Sequence, residues 1–261
     1  MNDFGAVGFE REKSKKLLNE VISEAIKLKI EEIKQSPNRI IQLTIMCGEK
    51  FGLNVDVIFI PTGGGQVKTN VFYKINGTYF DNYPSINVDI DRETVQVAAD
   101  IKIRNEDGHR YRFKVINQSE LVEKINLNGS AHMKRASLIG IGKEGEILLP
   151  VSTEEKHDPY YDKEKGILKI ADKFSFSKGF LKSLDDYKVE SKDYIYELCG
   201  TIVDVKHEEN SYTKEEVVLL VVKFRSAYFT VIINKLKLLG EPLKGRRFCG
   251  VISAQCILDM E

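Results

Sequence analysis

The stretch Tyr194–Leu258 decides the reading of this chain. It opens YIYELCGTIVDV (194–205) and passes a polar turn. It then continues VVLLVVKF (217–224), SAYFTVII (226–233), NKLKLLGEPLKG (234–245) and RRFCGVISAQCIL (246–258). Runs of β-branched and aromatic residues of strand length, punctuated by Gly, Asn and Pro, mark a small β-unit. The spacing predicts four or five strands forming a Greek-key, OB-like β-barrel, with one turn of helix at 234–239 between the third and fourth strands. Asn234 is the expected cap of that turn. Gly240 or Gly245 is expected to take backbone conformations that cost other residues more.

Upstream, Leu18, Val21, Ile22, Ala25, Ile26, Ile30 and Ile33 recur at three- and four-residue steps within 11–35. That period predicts an amphipathic helix packed on a sheet, ended by Pro37. Its polar face mixes Glu20, Glu24, Glu31 and Glu32 with lysines, a poor match to anionic lipid. The period then switches to strands at Ile40–Met46, Val55–Ile60 and Val71–Phe80, joined by GEKFG (48–52) and PTGGGQ (61–66). Asn76-Gly77 reads as a two-residue hairpin turn. Further strands are expected at Ser85–Ile90, Thr94–Arg104 (with a turn at Glu106-Asp107-Gly108) and Tyr111–Ile116. A short helix is expected at Ser119–Ile125, capped by Asn117 or Ser119, then a hairpin made of Ser137–Ile141 and Glu146–Pro150. Residues 152–193 turn charged and polar, with helices expected at Ile167–Lys173 and Lys178–Leu184. The fold class is therefore α+β, in three parts: a helix-backed antiparallel β-sheet over 1–150, a charged, helical connecting segment over 151–193, and the small C-terminal barrel over 194–261.

Composition excludes several classes. Apolar residues at 42% and charged residues at 30% describe a globular chain rather than a disordered one. Lys+Arg and Asp+Glu both number 39, which removes the excess positive charge that non-specific polyanion binding relies on. The start MNDFGAVGFEREKSKK lacks a basic head followed by an apolar run, and no run reaches the ~18 apolar residues of a membrane helix. Cys47, Cys199, Cys249 and Cys256 lack C-x-x-C spacing, so they read as free, buried thiols of a cytoplasmic protein. On one strand, Cys249 and Cys256 face opposite sides, because their separation is odd.

The motifs that suggest chemistry fail on context. Gly140-x-Gly142-x-x-Gly145 has the letters of a dinucleotide fingerprint, but EILLP follows where a helix must begin, so its glycines read as turn residues. Gly63-Gly64-Gly65-Gln66-Val67-Lys68-Thr69 lacks the Gly before Lys of a phosphate loop and reads as a flexible hairpin loop. Asn76, Asn117 and Asn128 head Asn-x-Ser/Thr triplets that serve as turns and caps. His109, His132, His157 and His207 stand apart, without metal-ligand spacing. No catalytic residue, cofactor site or metal site emerges.

Charge is the remaining signal. Between Val217 and Cys256, Lys223, Arg225, Lys235, Lys237, Lys244, Arg246 and Arg247 face the single acid Glu241, whereas Asp186–Glu216 holds nine acids to four bases. Lys223, Arg225, Tyr228, Lys244, Arg246 and Arg247 would suit a single-stranded nucleic acid on an open barrel face. Cross-strand neutralisation by the acidic segment is the competing account and the favoured one.

The pattern Leu238-Leu239-Gly240-Glu241-Pro242-x-x-Gly245-x-Arg247-Phe248-x-Gly250 resembles the C-terminal part of an uncharacterised bacterial family, a domain of unknown function found mainly in anaerobic spore-forming Gram-positive bacteria. The similarity extends to Leu198–Val205, to the Asn210–Thr213 turn with Glu215-Glu216, and to Ile232–Lys235, with weaker echoes at Phe4–Phe9, Val95–Val97 and Gly142–Pro150. The family has no assigned activity, so the resemblance implies a shared fold and carries over no catalytic residue. The function expected is that of a non-catalytic protein that binds a protein partner or self-associates. The alternatives are a single-stranded nucleic-acid-binding OB-type protein and an enzyme with an unrecognised carboxylate site.

Overall fold

The computed structural model describes residues 4–37, 39–61, 65–91, 96–103, 110–117, 120–121, 133–150, 161–162, 167–168, 173–176 and 194–259. Its elements are helix α1 (Glu12–Gln35) and strands β1 (Ile40–Met46), β2 (Phe51–Ile60), β3 (Gln66–Ile75), β4 (Asp81–Asn82), β5 (Ser85–Asp91), β6 (Gln96–Lys102), β7 (Arg110–Val115), β8 (Arg135–Leu148), β9 (Tyr161–Asp162), β10 (Ile167–Leu168), β11 (Lys173–Phe176), β12 (Ile195–Glu209), β13 (Glu216–Phe224), β14 (Ala227–Asn234), β15 (Leu238–Leu239) and β16 (Arg247–Leu258). They group into two compact units, one made of Met1–Gly77 with Glu208–Val217, the other of Thr78–His207 with Val218–Glu261.

In the first unit, β1, β2 and β3 form an antiparallel sheet in that order, with α1 against β1 and β2. Leu18 and Ile33 of the helical stripe are buried, whereas Val21, Ile22, Ala25, Ile26 and Ile30 are half-buried. The β12–β13 turn completes this unit through a polar key. The amide nitrogen of Asn210, a fully buried residue, donates to Val7 O at 2.6 Å, while its Oδ1 accepts from the amides of Tyr212 (2.9 Å) and Thr213 (3.0 Å). Thr213 donates to Gly8 O at 2.7 Å, and the Glu215 carboxylate accepts from Ser14 Oγ at 2.8 Å and from the Glu10 amide at 3.3 Å. Gly8 has φ +89°, and a Cβ there would stand 2.8 Å from Asn210 Cβ. Two of the stretches that carry the family resemblance, Phe4–Phe9 and Asn210–Glu215, therefore meet.

In the second unit, β12, β13, β14, β8 and β16 close into a five-stranded barrel. β16 pairs antiparallel with β8 along its whole length and with Ile195–Thr201 of β12 on its other side. β14 runs parallel to β8, and the meander β5–β6–β7 joins through a short parallel pairing of β7 with β16. Leu198, Ile202, Val218, Leu220, Val222, Phe229, Val231, Phe248 and Ile252 fill the interior, continuous with Val97, Ile101 and Phe113 of the meander. The helix-backed sheet and the barrel agree with an α+β reading.

Several local expectations are corrected. Residues 137–150 do not make a hairpin: β8 is one strand, with Lys143 as the extra residue of a bulge opposite Val251/Ile252. Gly140, Gly142 and Gly145 are therefore strand residues, not turn residues. A Cβ at Gly142 would stand 2.7 Å from Ile233 Cβ, and the other two positions are occupied by Ile252, Val231 and the Phe248 ring. Asn76-Gly77 makes no hairpin either, because β3 ends at Ile75 and the chain leaves the first unit at Gly77. Ile167–Leu168 and Lys173–Phe176 are strands, not the helix expected at 167–173. The alternation Lys-Phe-Ser-Phe has strand period, and β11 pairs antiparallel with Tyr196–Cys199 of β12. The helix expected at 178–184, the loop glycines 63 and 64, the 106–108 turn, Asn128, and His109, His132 and His157 lie outside the described residues. So does the 119–125 helix apart from Glu120 and Leu121. Asn117 pairs its side chain with both backbone groups of Leu258.

Two substitutions test this account. Gly142→Ala should cost about 1–3 kcal/mol by overpacking the barrel. Asn210→Ala removes three hydrogen bonds, one buried and two part-buried, and should cost about 2–4 kcal/mol. Urea unfolding curves of the two variants measure both losses, and wild-type midpoints would contradict the packing described.

Candidate functional site

Alternation along β8, β16 and β12 sends one set of side chains into the barrel and the other outward. After the bulge at Lys143, Glu144, Glu146 and Leu148 of β8 point out, because the extra residue reverses the strand's parity. Register then builds two outward rows across three strands. Glu146 lies opposite Cys249, which lies opposite Cys199, and Glu144 lies opposite Val251, which lies opposite Glu197. Glu144 and Glu197 thus flank Val251 from either side, roughly 10 Å apart at two strand spacings.

These rows floor a groove of about 450 Å³ lined by Glu144, Glu146, Glu197, Cys249 and Val251, with Leu236, Lys237 and Leu239 along one lip. The lip is held in place. Asn234 Oδ1 accepts from Leu236 N at 2.9 Å, capping the 3-10 turn Lys235–Lys237 as expected, and Lys235 Nζ donates to Gly240 O at 3.2 Å. Gly240 and Gly245 have φ +82° and +89°. Leu236 and Leu239 are nonetheless 60% and 72% exposed. The groove offers three carboxylates against one ammonium, with apolar side chains at its edge.

The cysteines depart from expectation. Cys199 and Cys249 are joined as a disulfide, with Cα atoms 4.1 Å apart, whereas Cys47 and Cys256 are free and buried. A separation of 50 residues hid the pair, and only the β12–β16 register sets the two sulfurs opposite each other. Cys249 faces the groove and Cys256 faces the core, so the two do sit on opposite sides of β16.

The six residues suggested for nucleic acid divide. Lys223, exposed, lies 6.0 Å from the Tyr228 ring centroid, and Tyr228 stacks on Tyr79 at 5.9 Å. Arg225, at the β13–β14 turn with φ +52°, lies over Phe224. Lys244 is exposed in the turn before β16, and Arg246 donates to Glu241 O at 3.1 Å. Arg247 is buried, with Nε donating to Leu149 O at 3.0 Å. Of the outward side chains on β13 and β14, Val217, Leu219, Thr230 and Ile232 are buried and Val221 is half-buried. The acids at 208, 209 and 215 serve other partners: Glu208 accepts from the Lys50 amide, Glu209 pairs with Lys214, and Glu215 holds Ser14. Sequence reading missed Tyr79 and the three groove glutamates. The i, i+2 spacing of Glu144 and Glu146 was visible, but nothing along the chain announced Glu197 as their neighbour.

A family model described as "Domain of unknown function, E. rectale Gene description (DUF3881)" matches residues 186–256. That stretch contains the Leu238–Gly250 pattern and most of the groove, and bears out the resemblance to a domain of unknown function. No curated protein and no solved structure matches the chain. Among the described residues, no group of side chains has the makings of a metal site, and no helix is long and apolar enough to cross a membrane.

Burial raises the Cys47 thiol from its ordinary 9.0 to about 12. Its contribution to stability is present below pH 9. Above that, the unfolded chain releases a proton that the folded chain retains, so stability falls as pH rises toward 12. Urea midpoints between pH 8 and 10.5 should decline more steeply in the wild type than in Cys47→Ala, and parallel slopes would rule this linkage out.

Proposed function

We propose that the protein is a non-catalytic binding module whose groove takes a basic, leucine-bearing segment of a partner protein. One observation carries this reading: Leu236 and Leu239 stand exposed on a lip fixed by the Asn234 cap and the Lys235–Gly240 bond, beside a floor of three carboxylates. Exposed apolar side chains held in one conformation lose little entropy on docking, and a surrounding charge selects the partner and speeds encounter. An OB-like description of the barrel fits the same role. In an OB-fold the fifth strand lies parallel to the third and antiparallel to the fourth. β8, although first in the chain, has those relations to β14 and β16, which supports reading the barrel as OB-like with a permuted strand order.

A second reading takes the cluster of Tyr79, Tyr228, Lys223 and Arg225 as a stacking and phosphate-binding point for a single-stranded nucleic acid. Its support is the Tyr79–Tyr228 stack with Lys223 beside it.

Fluorescence anisotropy with a labelled Lys/Leu peptide tests the first reading. Binding should weaken about tenfold in the Glu144→Gln/Glu197→Gln double variant, a loss of about 1.4 kcal/mol. It should also weaken with added salt and in Leu239→Asp. Equal affinity of wild type and double variant would end it, whereas salt-sensitive binding of oligothymidylate that is lost in Tyr228→Ala would favour the second.

A further inference from the structure

We infer that the Cys199–Cys249 disulfide is a reversible thiol–disulfide exchange site, entered from the groove and selective for neutral or cationic thiols over anionic ones. The two cysteines stand on the outward face of the barrel, in a small cluster with Leu148 that is separate from the main core. Cys249 lines the groove and is 8% exposed, while Cys199 behind it is 1% exposed, so the groove is the side from which the bond is reached. Opening the bond leaves the interior packing of Leu198, Phe248 and Ile252 in place, because those side chains point the other way. Cys47 and Cys256 make the contrast. Burial raises both thiols and withholds the thiolate that exchange requires.

The chemistry balances with a small-molecule thiol as reductant. Its thiolate attacks Cys249 Sγ, a new S–S bond forms there, and the electron pair of the Cys199–Cys249 bond leaves on Cys199 Sγ, which takes up a proton. A second thiolate attacks the small thiol's sulfur in the mixed disulfide and displaces Cys249 as thiolate, which is then protonated. The protein gains two electrons and two protons, and two small thiols become one small disulfide. Selectivity comes from the floor. Glu146 lies opposite Cys249, with Glu144 and Glu197 one step along β8 and β12, so a thiolate bearing a further negative group meets three carboxylates against the one ammonium of Lys237. A thiolate carrying an ammonium meets the same groups without net repulsion, and the discrimination fades with salt. The site does not depend on what docks in the groove.

The test uses the full folded chain, isolated without reductant. Treatment with cysteamine, then iodoacetamide and peptide mass mapping, should label Cys199 and Cys249 while Cys47 and Cys256 stay unlabelled. Per unit of thiolate, cysteamine should react roughly fivefold faster than 2-mercaptoethanesulfonate at low salt. The preference should shrink toward unity in Glu144→Gln/Glu146→Gln/Glu197→Gln and at 1 M salt. Cys199→Ser, which leaves one thiol in the groove, should capture a single cysteamine as a mixed disulfide on incubation with cystamine. Four free thiols in the untreated, denatured chain, labelling of all four cysteines at one rate, or equal rates for the two reductants would each overturn the inference. Lys/Leu peptide binding is a separate measurement, so its failure leaves these outcomes readable.

Discussion

The double pairing of β16 is the constraint on which the second unit depends. One strand of twelve residues is bonded to β8 over its whole length and to the first half of β12, and its end also reaches β7. Those bonds turn an open sheet into a closed barrel and leave no unpaired backbone between its first and last strands. Closure demands close approach. At Gly200 a Cβ would meet the Lys223 carbonyl at 2.5 Å, and at Gly142 it would meet Ile233. The glycines of the barrel are therefore a packing requirement, and a fingerprint read from their spacing alone is misleading.

The same closure creates the groove. An outward row of side chains becomes a site only when neighbouring strands are held in register. Here register brings Glu146, Cys249 and Cys199 into one line and Glu144, Val251 and Glu197 into the next. The bulge at Lys143 is decisive, because without it β8 would turn its glutamates into the core. The lip is likewise a consequence of local capping, with Asn234 and Lys235 fixing the turn on which Leu236 and Leu239 stand exposed. The groove and the Cys199–Cys249 disulfide thus share one physical origin in the β8–β16–β12 pairing.

Much of this was legible along the chain. The helix at 11–35 was visible from its period, and the strands of the first sheet and the meander from their β-branched runs. The cap at Asn234 and the left-handed glycines at 240 and 245 followed from turn chemistry, which is local. What failed was equally local in form and non-local in cause. Gly140, Gly142 and Gly145 looked like turn residues because the chain cannot say that Ile252, Val231, Ile233 and Phe248 will press against them. Asn76-Gly77 looked like a hairpin because its letters do not reveal that the next strand pairs elsewhere. The basic residues read as one stripe along the chain; in the fold Lys223 and Arg225 lie exposed around the β13–β14 turn, whereas Arg247 is buried.

By itself, then, the sequence determined most of the element types, the α+β class and the resemblance of the last third to a domain of unknown function, because propensity, period and turn chemistry act over a few residues. Only the tertiary structure decided that a strand from residues 135–148 completes the barrel, that two cysteines fifty residues apart are bonded, and that three glutamates from two distant segments share a groove. Each of these depends on strand register, which is set by the packing of both faces at once and is written in no single stretch of the chain.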